Sequence, residues 1–270
     1  MAAKFVPKET GQGGGGMSLL VLDKATIKFG GLIAVNEVSF ALEKGDLFGL
    51  IGPNGAGKTT CFNLITGVYK PTSGSIKFKD NALGGIPSNK ICRMGIARTF
   101  QNIRLFHSLS VLENVVVGGF LRHKTSMIGA LAYLPGPIQE TARLRKEAME
   151  LLEVLDLADV ANVRSADLPY GKQRRLEIAR AMATQPELLL LDEPAAGMNP
   201  AESEDLLQTV RRIRNEFGKT VLLIEHDMRF VMNLCEKIFV LDHGEEIAFG
   251  PPDAIRSNPK VIEAYLGEAV

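Results

Sequence analysis

The sequence predicts an α/β domain with a mostly parallel central sheet, and three features carry that expectation. Short apolar runs of strand length recur at residues 47–51, 188–191, 220–224 and 237–241. Segments with helical periodicity lie between them, and buried apolar strands alternating with amphipathic helices make a parallel sheet. A glycine-rich loop joins the first of these strands to the helix that follows it.

Taken in order, residues 1–16 close on Gly-Gln-Gly-Gly-Gly-Gly before Met17 and read as a flexible lead-in; the rest, 17–270, reads as one domain. Folded sequence is expected from Leu19. Val38, Phe40 and Leu42 alternate with polar or small residues, the pattern of a half-buried strand. Gly45-Asp46 turns the chain into Leu47–Ile51, short enough for a buried parallel strand. Lys58–Thr66 reads as a helix, with Gly67 placed to stop it.

The centre of the chain reads differently. Residues 138–157 form an amphipathic helix, with Leu144, Leu151, Leu152 and Leu155 on one side and Arg, Lys and Glu on the other. This helical stretch interrupts the strands and is expected to be a subdomain, roughly residues 100–185. Asn199-Pro200 caps and opens a helix whose Leu206, Val210, Ile213 and Phe217 are spaced four, three and four, ending at Gly218. Asp242-His243-Gly244 is expected to turn a hairpin into Glu246–Phe249.

Composition narrows the function. The chain has 270 residues, 46% apolar and 23% charged, so it can bury a real core and is not globally disordered. Lys+Arg and Asp+Glu balance at 31 each, and without a basic excess no nucleic-acid partner is expected. Cys61, Cys92 and Cys235 are scattered, which suits neither a disulfide framework nor a zinc site and fits a reducing compartment. Cys61 reads as a core residue of the first helix. The most apolar stretch, Leu109 to Leu121, is broken by Glu113, Asn114 and two glycines, so no membrane span is expected. The first residues lack the continuous apolar core of a signal peptide.

Chemistry enters at Gly52-Pro53-Asn54-Gly55-Ala56-Gly57-Lys58-Thr59, followed by Thr60, which matches GxxxxGK[ST] in full. Glycines let such a loop curl so that backbone N–H groups meet phosphate oxygens, and the helix N-terminus adds positive potential. Lys58 can then reach the β- and γ-phosphates, and the Thr59 hydroxyl can bind Mg²⁺. Leu188–Leu191 runs into Asp192-Glu193, placing two carboxylates at the end of a buried strand. There Asp192 would hold the Mg²⁺ shell, while Glu193 could orient or deprotonate an attacking water. His226 follows the next strand, where parallel sheets present ligand-facing groups, although position alone also allows a structural histidine.

Together these residues resemble the ATP-binding cassette (ABC) ATPases. The discriminating segment is Leu168-Pro169-Tyr170-Gly171-Lys172-Gln173-Arg174-Arg175, which is similar to the family's LSGGQ-type signature and its Gln/Arg-rich helix. The resemblance runs from Leu19 to Gly267. It implies a P-loop core with an antiparallel β subdomain beside the helical one, and ATP with Mg²⁺ as cofactors. It also implies that Phe29 stacks on adenine, that Gln101 contacts Mg²⁺ or water, and that His226 is the switch histidine on the γ-phosphate. Two cassettes would close face to face, so that Gly171 and Lys172 of one cover ATP held by the other. Further partners would be two transmembrane permeases and, indirectly, a periplasmic or extracellular substrate-binding protein. The cassette would sit at the cytoplasmic face of the inner membrane.

The departures are Pro169 for the signature serine, Tyr170 for a glycine, Lys172 for Gln and Asn199 for the usual D-loop Asp. They imply weaker γ-phosphate sensing, partly offset by the Lys172 charge. Within the family, the chain is similar to the larger ATP-binding subunit of branched-chain amino acid importers. That likeness rests on residues 170–180, on Leu223-Ile224-Glu225-His226-Asp227-Met228, on the tail 258–267 and on the extra residues near 122–142. Lipopolysaccharide-export cassettes share a similar ending, and soluble ABC ATPases form the other class. The single cassette, the absence of sustained heptads and the zero net charge all weigh against the soluble class.

Overall fold

The computed structural model describes residues 18–122 and 135–266, with residues 135–139 as helix only. The lead-in at 1–16, Gly267 and most of the segment near 122–142 lie outside the described residues.

In chain order the described strands are β1 (Ser18–Phe29), β2 (Leu32–Glu43), β3 (Leu47–Ile51), β4 (Ser73–Phe78), β5 (Asn81–Ala82), β6 (Ile96–Arg98), β7 (Leu188–Asp192), β8 (Thr220–Ile224), β9 (Lys237–Asp242) and β10 (Glu245–Gly250). The described helices are α1 (Lys58–Ile65), α2 (Ser88–Met94), α3 (Val111–Gly119), α4 (Pro135–Val154), α5 (Tyr170–Met182), α6 (Pro200–Phe217), α7 (Met228–Leu234), α8 (Pro252–Arg256) and α9 (Pro259–Leu266).

The expected parallel sheet is present, with order β10-β9-β3-β8-β7-β6. Its pairs are parallel from β9 to β6, and β10 is an antiparallel edge strand. A second, antiparallel sheet has order β2-β1-β4-β5. In the central strands successive residues face opposite sides. Leu47, Ile51, Leu189, Leu191, Val221 and Leu223 therefore join the core shared with α3–α6. Phe48, Leu50, Leu188, Leu190, Leu222 and Ile224 join a second core with α1 and the antiparallel sheet. This two-faced burial explains why these strands read as continuous apolar runs.

The helix expected from residue 138 starts three positions earlier, at Pro135. Pro135 and Pro137 both sit in its first turn, where an N–H has no intrahelical acceptor to lose. Leu144 and Leu152 are buried on its inner side, and Asp156, with φ 55°, ends the run. The apolar stretch 109–121 contains α3, whose buried Asn114 is satisfied by the carbonyls of Phe106 and Ser110. Among the described residues, no helix is long and apolar enough to cross a membrane. At α6, the Asn199 side chain accepts from Ala201 and Glu202 N–H, while Glu202 returns a bond to the Asn199 N–H. Asparagine caps a helix as well as aspartate does, so Asn199 meets the local structural demand at this position.

Candidate active site

The phosphate loop is shaped by crowding. Gly52 leaves β3 at φ 148°, and a Cβ there would lie 2.0 Å from the Leu241 carbonyl oxygen. Gly57, at φ 100° before α1, would press a Cβ to 2.5 Å from the Ala34 carbonyl oxygen. Only glycine fits both conditions at once. Lys58, the first residue of α1, is buried, and its ammonium donates to the Gly52 and Pro53 carbonyls at 2.6 and 2.7 Å. The loop borders a cavity of about 320 Å³, lined by Leu32, Ile33, Ala34, residues 54–60, Glu193 and His243. A concave site at a helix N-terminus, with a lysine and the exposed Thr59, fits a nucleotide's phosphates, with Thr59 offering a hydroxyl for their Mg²⁺.

The acidic pair stands at the end of β7. Asp192 is buried, and its Oδ2 accepts from Arg98 Nη2 at 2.6 Å. The same guanidinium reaches Asn63 Oδ1 at 2.7 Å and lies against the rings of Phe62 and Phe100. Glu193 follows with φ 46°, a left-handed backbone that a β-carbon opposes and that surrounding structure must enforce. Its N–H donates to the Ile224 carbonyl at 2.9 Å, tying the bend to β8. Its carboxylate Oε2 accepts from Gln101 Nε2 at 2.7 Å and lies 3.9 Å from His226 Nδ1. Residues from three separate loops thus converge at the Glu193 carboxylate, and Glu193 itself lines the phosphate-loop cavity.

Comparison with known proteins decides what this arrangement belongs to. A family model described as "ABC transporter" matches residues 35–196. The chain belongs to the ABC transporter family. It is an ATP-binding cassette, and an ATPase. A second model, "Branched-chain amino acid ATP-binding cassette transporter", matches residues 245–270. The cassette is 47% identical over 251 residues to the high-affinity branched-chain amino acid transport ATP-binding protein LivG of Escherichia coli, covering 93% of this chain and 98% of that one. It is 46% identical to BraF of Pseudomonas aeruginosa, again over 93% and 98%. A crystal structure of the ADP conformation of an ABC-transporter cassette superposes with a TM-score of 0.81 at 31% identity, covering 93% and 99%. A dimeric cassette bound to ADP and Pi superposes with a TM-score of 0.71 at 27% identity, covering 86% and 98%.

Other expected site residues of this cassette lie elsewhere. Phe29, at the end of β1, is 44% exposed and sets its ring edge-on to Tyr69, outside the lining of the phosphate cavity. Gly171 and Lys172 lie in the first turn of α5, also outside that lining. Lys172 pairs with Asp159 at 2.8 Å, so in the single cassette its charge is engaged within its own chain. Both partners are solvent-accessible, so water and salt screen the pair and it can be exchanged readily for another partner.

Sequence reasoning passed over Glu225. It is buried, with Oε1 accepting from Ala195 N–H at 2.7 Å and Oε2 from His226 N–H at 3.1 Å and Asp227 N–H at 3.4 Å. It therefore pins the loop carrying Glu193 to the loop carrying His226. Burial pushes its carboxyl above the usual carboxylate range, opposed by those three N–H groups. An acid beside a strand end normally reads as solvated, so nothing in the sequence marked it. In Glu225→Gln one amide NH₂ must face a backbone N–H that the carboxylate now accepts. The variant should lose about 1–3 kcal/mol, seen as a thermal midpoint several degrees lower in calorimetry. An unchanged midpoint would contradict this clamp.

Proposed function

We propose that this cassette powers the import of branched-chain or related amino acids, working at the cytoplasmic membrane face with a second cassette and two permeases. An external substrate-binding protein would deliver cargo to the same assembly. The observation that carries this reading is near-full-length likeness to LivG and BraF, reaching into the C-terminal residues 245–270. Pseudomonas aeruginosa has, besides BraF, a second branched-chain amino acid transport ATP-binding protein, BraG, 33% identical over 92% of this chain, which supports pairing with a different cassette.

In this reading the loop from Gly52 to Thr60 cradles the phosphates and Phe29 stacks on adenine. Thr59, Gln101 and Asp192 would hold Mg²⁺, which when bound would neutralise phosphate charge. Glu193 accepts a proton as water attacks the γ-phosphorus and ADP leaves, and His226 contacts the γ-phosphate. Gly171 offers its N–H to the partner cassette's nucleotide, with Lys172 reaching it after leaving Asp159.

Motion passes to the permeases through a groove of about 540 Å³ lined among others by Cys92, Phe106 and Arg180, and by Arg98 and Arg104, which flank Gln101 in the chain. Purification from native membranes in mild detergent should bring down two permeases and a second cassette. Within that complex, Cys92 should be protected from a thiol reagent that modifies it in the isolated cassette. Co-purification of ribosomal or DNA-repair proteins, or of no membrane protein, would overturn the importer reading.

A further inference from the structure

The tyrosine standing where the signature carries a glycine closes a ring of hydrogen bonds. Tyr170 Oη donates to the Ala196 carbonyl at 3.0 Å and accepts from Arg174 Nη2 at 3.3 Å. Arg174 is fully buried, and the same Nη2 donates to the Gln101 carbonyl at 2.7 Å. Its Nη1 donates to the Phe100 carbonyl at 2.7 Å and to Glu177 Oε2 at 2.9 Å. Glu177 Oε1 accepts in turn from the N–H groups of Phe100 and Arg104. The Gln101 side chain then meets Glu193, and the Ala196 N–H returns to the Glu193 carbonyl at 3.2 Å. The path from Glu193 through Ala196, Tyr170, Arg174 and Gln101 back to Glu193 is closed.

From this circuit we infer that Tyr170 and Arg174 are positioning residues that fix the Gln101 amide relative to Glu193. The inference rests on the reading of Glu193 as proton acceptor. Physically, Arg174 is suited to the task because a guanidinium presents several donors in a rigid plane. Two backbone carbonyls, a carboxylate and a hydroxyl can therefore be held at fixed mutual angles, which a lysine could not do. The buried Glu177 balances its charge. Tyr170 is the weaker and more accessible link, 42% exposed, at the first residue of α5. It joins the start of the signature helix, which faces the partner's nucleotide in a closed dimer, to the loops that act on the cassette's own nucleotide. Displacing Tyr170 releases the Ala196 carbonyl and one Arg174 donor together.

Tyr170→Phe tests this because it keeps the ring and removes only the hydroxyl. With two modest hydrogen bonds lost, kcat for ATP should fall about tenfold while equilibrium ATP binding stays unchanged. If Tyr170 acts through Gln101, the same substitution made on a Gln101→Ala background should lower kcat no further, since coupled residues are not additive. Wild-type turnover in Tyr170→Phe would overturn the inference. So would a full tenfold loss on the Gln101→Ala background, or a parallel loss of ATP affinity, which would indicate general damage. Near-normal turnover in Glu193→Gln would instead overturn the proton-acceptor reading, so the two failures are distinguishable.

Discussion

Glu193→Gln should bind ATP as tightly as the native cassette, lose turnover by at least about a hundredfold and accumulate as a closed dimer. The substitution is almost isosteric. The left-handed backbone at φ 46° and the N–H bond to Ile224 are untouched by it. An amide oxygen can still accept from Gln101, so the local scaffold survives. What is lost is the ability to take a proton from water. Steady-state phosphate release measures the first effect, and size-exclusion chromatography with ATP measures the second. Hydrolysis within a few fold of native would refute the assignment of Glu193.

Lys58→Ala should fail earlier, at binding. The ammonium is folded onto the Gly52 and Pro53 carbonyls at the loop that would carry the phosphates. Its removal deletes a charge-assisted contact worth about 1.5–3 kcal/mol, or roughly a 10- to 150-fold weaker Kd in titration calorimetry. Normal affinity with slow hydrolysis would mean that Lys58 acts only on the charge that develops during transfer, and its placement here would be wrong.

Periodicity and local chemistry made much of the fold legible in advance. The strands at 188–191 and 220–224, the Asn199-Pro200 cap and the glycine loop each depend on a few adjacent residues, and each appears where expected. The helix expected over 138–157 runs instead over Pro135–Val154, because the first helical turn tolerates the prolines at 135 and 137. Arg174 shows a deeper limit. It is indistinguishable in sequence from its neighbour Arg175, yet the first is fully buried while the second keeps some exposure beside Asp156. Only the rotation of α5 against the loop at 100–101 separates them, and spacing along one helix carries no information about a segment some seventy residues away. Glu225 and the Tyr170 hydroxyl were hidden for the same reason. Asp192, Glu193 and the phosphate loop were visible because their chemistry needs residue types at fixed local offsets.

The order of the central sheet also constrains how this chain can be made. The strand that feeds the phosphate loop, β3, pairs on one side with β8 at Val221–Ile224 and on the other with β9 at Lys237–Val240. Both neighbours leave the ribosome more than 170 residues after it. Until then β3 has two open edges and no ladder partner. Contacts of such sequence separation slow folding, and an unpaired apolar strand is a site for misassembly. The Leu241 carbonyl that packs on Gly52 also arrives only with β9. Nucleotide therefore cannot template the early fold: its loop is completed only when β9 arrives, and loss of β8 and β9 would strip both ladder partners from the strand that feeds the site.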